Sequence, residues 1–169
     1  LHAAEAIEVP AGVHDRVPGQ KWNRASFIDY VRESDLDGDM GSFEWLLDLA
    51  ERFGAPCRWG AGATIPTIQL RAGKGHGVLL VGIYASGVVV VGLSEVRRVL
   101  GAPVTDRLRK DLNRLPAVSI RRDNFSSPNL PIGAFRTKAA RLLFASTVAG
   151  VVRALREQVT TSRRAPPER

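Results

Sequence analysis

Between residues 77 and 93 the chain reads GVLLVGIYASGVVVVGL and carries no charge. Two apolar runs, 78–83 and 88–91, are parted by Tyr84-Ala85-Ser86-Gly87. β-Branched side chains are stiff at χ1 and pack well on a pleated surface. A Ser-Gly pair suits a hairpin turn that needs positive φ. The pattern therefore predicts a β-hairpin, 77–84 against 86–93. A membrane span would need about 18 unbroken apolar residues and a basic bias in short flanking loops, and neither is present. Strands apolar on both faces call for cover on both faces, so the hairpin is read as the centre of a sheet or one wall of a subunit contact.

Helical spacing appears on either side. Phe27, Ile28 and Val31 share a face behind a cap at Ser26. Phe43, Leu46, Leu47, Ala50 and Phe53 recur at three and four residues over 42–53, closed by Gly54. Residues 94–100 read as a short turn or helix. Leu108, Leu112 and Leu115 stripe a helix capped at Thr105. The longest helix runs from a cap at Thr137 to about Val159, with Ala140, Leu143, Phe144, Val148, Val151, Val152 and Leu155 on a wide apolar face. An extended segment starts at Cys57-Arg58-Trp59. Ile68 and Leu70 alternate with Thr67, Gln69 and Arg71, which predicts a strand over 64–71. Residues 118–120 read as a short strand, and 123–133, with Pro128 and Pro131, as a loop.

This order predicts an α+β fold: a central antiparallel sheet of about four strands containing the apolar hairpin, helices packed on it, and a long C-terminal helix. If every helix lies on one face, the far face of the hairpin needs another cover, and a homodimer through the sheet provides it. Residues 1–21, with Pro10, Gly12, Pro18 and Gly19, read as a linker or the end of a preceding region. Residues 22–159 make a single domain, and 160–169 a disordered basic tail. At 169 residues the chain can bury a core without staples. Its single cysteine, Cys57, excludes an intramolecular disulfide, so a reducing, cytoplasmic setting is expected. The basic residues are 20 Arg and 4 Lys, a bias that fits a GC-rich bacterial genome.

Charge changes the picture most. Residues 1–59 hold 6 Lys/Arg against 11 Asp/Glu, a net of −5, while 60–169 hold 18 against 6, a net of +12. A field of that sign attracts polyanions, of which nucleic acid is the commonest. Arg107, Lys110 and Arg114 fall at spacings of three and four beside the leucine stripe, so one helix offers a basic face while its leucines bury. Arg97, Arg98, Arg121 and Arg122 bracket that helix and extend the patch. Lys74, in the glycine-rich loop Arg71-Ala-Gly-Lys74-Gly-His76-Gly77, adds a supplementary contact; the loop lacks the glycine spacing and Lys-Ser/Thr pair of a Walker A motif. Such a surface suits phosphate contacts, which give affinity without sequence information. The competing reading is a solvated face.

Glu33-Ser-Asp35-Leu-Asp37-Gly38-Asp39-Met-Gly-Ser-Phe-Glu44 resembles an EF-hand calcium loop, with oxygen donors at loop positions one, three, five and seven, Gly at six and Glu at twelve. It departs from the pattern at Glu33 in place of Asp, at Arg32 where an apolar residue is usual, and in having no second copy. The alternative is an acidic helix–helix connection, and no metal is favoured.

Catalytic patterns are sparse. His2 and His14 fall in the N-terminal linker, leaving His76, and Cys57 has no evident His/Asn partner. No G-x-S-x-G, H-E-x-x-H or C-x-x-C occurs, and the central strands carry no acid to hold a nuclease metal. The expectation is a non-catalytic accessory module that binds DNA or RNA, DNA by preference, through its basic second part. The alternative is a protein-interaction or dimerisation module with an incidental positive surface. Trp22, Trp45 and Trp59 are read as core or rim packing.

Phe27, the run Leu46-Leu47-Asp48-Leu49-Ala50-Glu51, the turn Arg58-Trp59-Gly60-Ala61-Gly62-Ala63, the apolar hairpin and the basic leucine helix together resemble a family of uncharacterised prokaryotic domains that accompany predicted nucleases and restriction or defence proteins. The resemblance spans 22–157. It implies an accessory role near DNA and assigns no functional residue.

Overall fold

The computed structural model describes residues 22–53, 57–60, 65–72, 77–123 and 126–164. Over these the chain forms four α-helices and a five-stranded antiparallel sheet, the α+β architecture that the patterning predicts. Helix α1 spans Arg24–Arg32. Its cap is Asn23, not Ser26: the Asn23 side chain accepts from the Ser26 N–H at 3.0 Å, and Ser26 Oγ accepts from the Asn23 N–H at 3.0 Å. Ser26 thus serves as the reciprocal member of a capping box. Helix α2, Met40–Arg52, buries Phe43, Leu46, Leu47 and Ala50, as their spacing predicts.

The sheet runs β1 (Cys57–Trp59), β2 (Thr67–Ala72), β3 (Val78–Tyr84), β4 (Val88–Val91) and β5 (Asn129–Pro131), each strand beside its neighbour in sequence. The expected hairpin is β3 and β4, and the positive φ of its turn falls at Gly87, at 86°. A Cβ there would come within 3.1 Å of Leu36, which packs over the turn. Antiparallel register lines up Ile68, Ile83, Val89 and Leu130 in one row and Leu70, Val81 and Val91 in the next. All seven are almost completely buried, in one core with Phe27, Phe43, Leu46, Leu108, Phe135 and Phe144 from the helical layer.

The alternate residues Thr67, Gln69, Leu79, Tyr84, Val88 and Val90 are half-buried and take no part in that core. The hairpin is therefore covered by helices on one face only. Its second face is apolar yet small: among the described residues the one large apolar side chain well exposed is Leu142, at 62 %, on a helix.

Helix α3 spans Leu93–Leu112 and joins the two predicted pieces across a kink at Gly101, where φ is 80° and ψ 179°. Only glycine adopts that conformation readily. Glu95 ties the first half of α3 to the sheet by accepting from the Leu79 N–H at 2.8 Å, beside the bulge where register slips between Leu70 and Arg71.

The short strand expected at 118–120 is not formed. The Asn113 side chain instead takes both backbone groups of Ile120, accepting from its N–H at 2.6 Å and donating to its carbonyl at 3.0 Å. A strand forms instead at β5, inside the stretch read as a loop, where Leu130 pairs with Val89. Pro131 is tolerated there because β5 lies at the sheet edge. Helix α4 spans Lys138–Arg164, so the backbone stays helical over 160–164, where composition predicts the start of a tail. Among the described residues no helix is long and apolar enough to cross a membrane.

Candidate nucleic-acid interface

The second half of α3 begins just after the kink. Thr105 is not its cap: the hydroxyl is buried and donates back to the Gly101 carbonyl at 2.9 Å. Pro103 stands near the start of this half, where a missing N–H costs least. Leu108 and Leu112, and Leu115 just beyond the helix, are at most 4 % exposed and face the core, as their stripe predicts. The opposite arc carries Arg107, Lys110 and Arg114, all exposed. Among the described residues neither Arg107 nor Lys110 has a hydrogen-bond or ion-pair partner. Arg114 approaches Asp111 at 3.6 Å, one turn back, with 69 % of its side chain exposed. Arg109 shows how sharply the helix sorts its cations: beside Lys110 in sequence, it turns inward and is only 12 % exposed, 3.6 Å from Asp106.

Helix α4 runs alongside. Gln158 Nε2 donates to the Val99 carbonyl at 2.8 Å and pins the C-terminal part of α4 next to the kink. Between the two helices lies a groove of about 510 Å³. Arg107 lines it from α3, Arg114 from just beyond the end of α3, and Arg153 from α4. Asp111 and Glu157 line it as well, so cations and carboxylates share the groove with apolar residues that include Leu108 and Val151. Arg153 is exposed, and among the described residues it too has no partner. Periodicity does not reveal Arg153 as a neighbour of Arg107, because their proximity depends on how α4 packs.

The other expected contacts are more scattered. Arg98 is exposed on the first half of α3, across the kink from Arg107, while the adjacent Arg97 is half-buried and engaged. Arg121 and Arg122 are exposed just after Ile120, which Asn113 holds against the C-terminal end of α3. That places them near the end that bears Arg114, and Arg121 contacts Asp123 at 3.3 Å. Lys74 and His76, like His2 and His14, lie outside the described residues.

The acidic connection between α1 and α2 is organised differently from a calcium loop. Asp39, 8 % exposed at its side chain, receives two hydrogen bonds from Arg136, at 2.6 Å from Nε and 3.0 Å from Nη2. The carboxylate holds the Arg136 proton more tightly than usual, through that hydrogen bond first and charge second. Glu33, Asp35 and Glu44 point to solvent. Among the described residues no three His, Cys, Asp or Glu side chains converge on one point.

No protein-family model matches this chain, and no curated protein and no solved structure shows significant similarity to it. The likeness to nuclease-associated domains thus has no family match behind it.

Proposed function

We propose that this chain binds nucleic acid, DNA by preference, through the arc of Arg107, Lys110 and Arg114 together with Arg153, and acts as a non-catalytic accessory module. The observation that carries this reading is the state of the cations: Arg107, Lys110 and Arg153 are exposed and have no partner among the described residues. A guanidinium or ammonium already bound to a carboxylate gives little to a phosphate, whereas a free one releases counterions from the nucleic acid on binding. Three such contacts make log K fall with log salt at a slope of about −2.7, roughly −0.9 per phosphate neutralised. The test is a gel-shift titration of the wild-type chain and an Arg107→Ala/Lys110→Ala/Arg114→Ala variant at two salt concentrations. Weaker binding and a shallower slope in the variant, with an unchanged melting temperature, support the proposal. Unchanged binding removes this face from it.

A second reading, self-association through the sheet, draws on the uncharged outer row of Leu79, Tyr84, Val88 and Val90, none of which joins the core. Arg71, beside Leu79, and Arg58, beside Gln69, border this row on the same face. Light scattering that returns a clean monomer removes this reading. A dimer dispersed by Val90→Lys supports it.

A further inference from the structure

Resting on the nucleic-acid reading above, we infer that the ligand of the α3–α4 face is a double helix, held by both of its phosphate strands and without regard to base sequence. Three features carry the inference.

The first is that cations stand on both sides of the groove, Arg107 and Arg114 on one and Arg153 on the other. Arg107 stands on α3 and Arg114 just beyond its C-terminal end. Arg153 stands on α4 across the groove, and packed helices are separated by about 8–10 Å. A duplex presents two phosphate rows flanking a minor groove about 6 Å wide, whereas a single strand presents one.

The second is a carboxylate among the groove-lining residues. Asp111 lines the groove and keeps 29 % of its side chain exposed. A carboxylate there repels a lone backbone lying along the groove floor, yet leaves phosphates free to rest on the rims. Single strands are ordinarily held by rings on which bases stack, and among the described residues no aromatic side chain lines this groove.

The third concerns sequence readout. Side-chain amides are among the groups that read adenine edges. The two amides nearest this face are already engaged, Asn113 with Ile120 and Gln158 with Val99. The cations that remain read guanine only when inserted into a major groove, and cations standing on the rims meet phosphate instead.

The experiment is fluorescence anisotropy with the full chain and five labelled probes of equal length: two DNA duplexes of unrelated sequence, one strand of each, and an RNA duplex, each across a salt series. The expected result is that the two DNA duplexes bind within about threefold of each other and each single strand about tenfold or more weaker, since a lone strand meets the cations of one side only. Arg153→Ala is expected to reduce the duplex salt slope by about 0.9. The RNA duplex distinguishes the source of the paired strands: weaker binding than DNA assigns the face to B-form geometry, and equal binding to any double helix. Single strands binding as tightly as duplex, or a preference of more than about tenfold between the two DNA sequences, overturns the inference but leaves the nucleic-acid reading standing. Absence of binding to all five probes overturns both.

Discussion

The helical layer handles its arginines in two opposite ways. On the α1–α2 side they are engaged, two of them by acids and one by backbone carbonyls. Arg24 bridges Asp48 at 2.6 Å and Glu51 at 2.9 Å, tying the first helix to the second, and its proton is held more tightly for that reason. Arg136 grips Asp39 across 97 positions of sequence. Arg141 donates to the carbonyls of Phe135 and Gly41 and lies 5.7 Å over the Trp45 ring. On the α3–α4 face the nearest acids stand off at 3.6 Å or have no arginine at all, and Arg107, Lys110 and Arg153 point into solvent. The residue types are the same, and the supply of carboxylates separates the two. The acids in excess among the N-terminal 59 residues engage their own Arg24 and also Arg136 from the remainder, whereas few carboxylates lie within reach of the α3–α4 face.

The largest way to sharpen that contrast lies within α3 itself. Leu112 is 1 % exposed, two positions beyond the solvated Lys110. Leu112→Ala is expected to cost about 3 kcal/mol by deleting buried methyl groups and leaving a cavity. Lys110→Ala is expected to change stability by less than about 0.5 kcal/mol, while weakening nucleic-acid binding. Urea unfolding of the two variants checks both. A loss above 1 kcal/mol for Lys110→Ala would mean that the basic arc has a structural partner after all. Next comes Gly101→Ala, which forces a side chain into a conformation only glycine adopts readily. The expected cost is about 1–3 kcal/mol, and because the kink sets the course of the basic half of α3, binding should fall with it.

How far these features could be read from sequence depends on whether a local pattern or a tertiary contact creates them. The hairpin is legible because its residues are neutral, β-branched and split by a turn. The arc is legible because Arg107, Lys110 and Arg114 alternate with leucines at helical spacing. Strand β5 is not, since Asn129-Leu130-Pro131 carries one apolar residue and becomes a strand only by pairing with β4. The missing strand at 118–120 is lost to the Asn113 amide, a competitor that no periodicity displays. Arg153 escapes notice because only the packing of α4 brings it to the groove. Within the chain the helices cover one face of the hairpin: an apolar run shows that a strand can be buried, and the remaining elements decide on how many faces.

Two smaller tests separate engaged from free groups. Asn113→Ala leaves the Ile120 backbone N–H and carbonyl without their partners, an expected cost of about 1–2 kcal/mol. Faster hydrogen exchange at Ile120 should accompany it, along with weaker binding if Arg121 and Arg122 contribute. Arg24→Ala removes two ion pairs, but its side chain is 38 % exposed, so water screens them and the expected loss is below about 1 kcal/mol. Arg107→Ala, with no pair to lose, should lie at zero within error in the same thermal melts.

The smallest effect is expected at high pH, on the side of the molecule where groups are engaged. Tyr30 is 8 % exposed and meets the Trp22 ring edge-on at 6.2 Å between centroids. Burial raises its phenol pKa above the ordinary 10.0, because the phenolate is poorly solvated there. The folded chain therefore holds this proton more tightly than the unfolded chain does. The resulting contribution to stability is fully present below the unfolded value of 10.0 and is lost as pH rises through the higher folded value. Tyr30→Phe keeps the ring against Trp22 and removes the titration. Denaturant midpoints from pH 8 to 11 should fall less steeply for Tyr30→Phe than for the wild type once pH passes 10, with the two curves parallel below it. Curves that stay parallel throughout would show that Tyr30 ionises as freely in the fold as outside it, and that this end of the α1–α2 side is open to water.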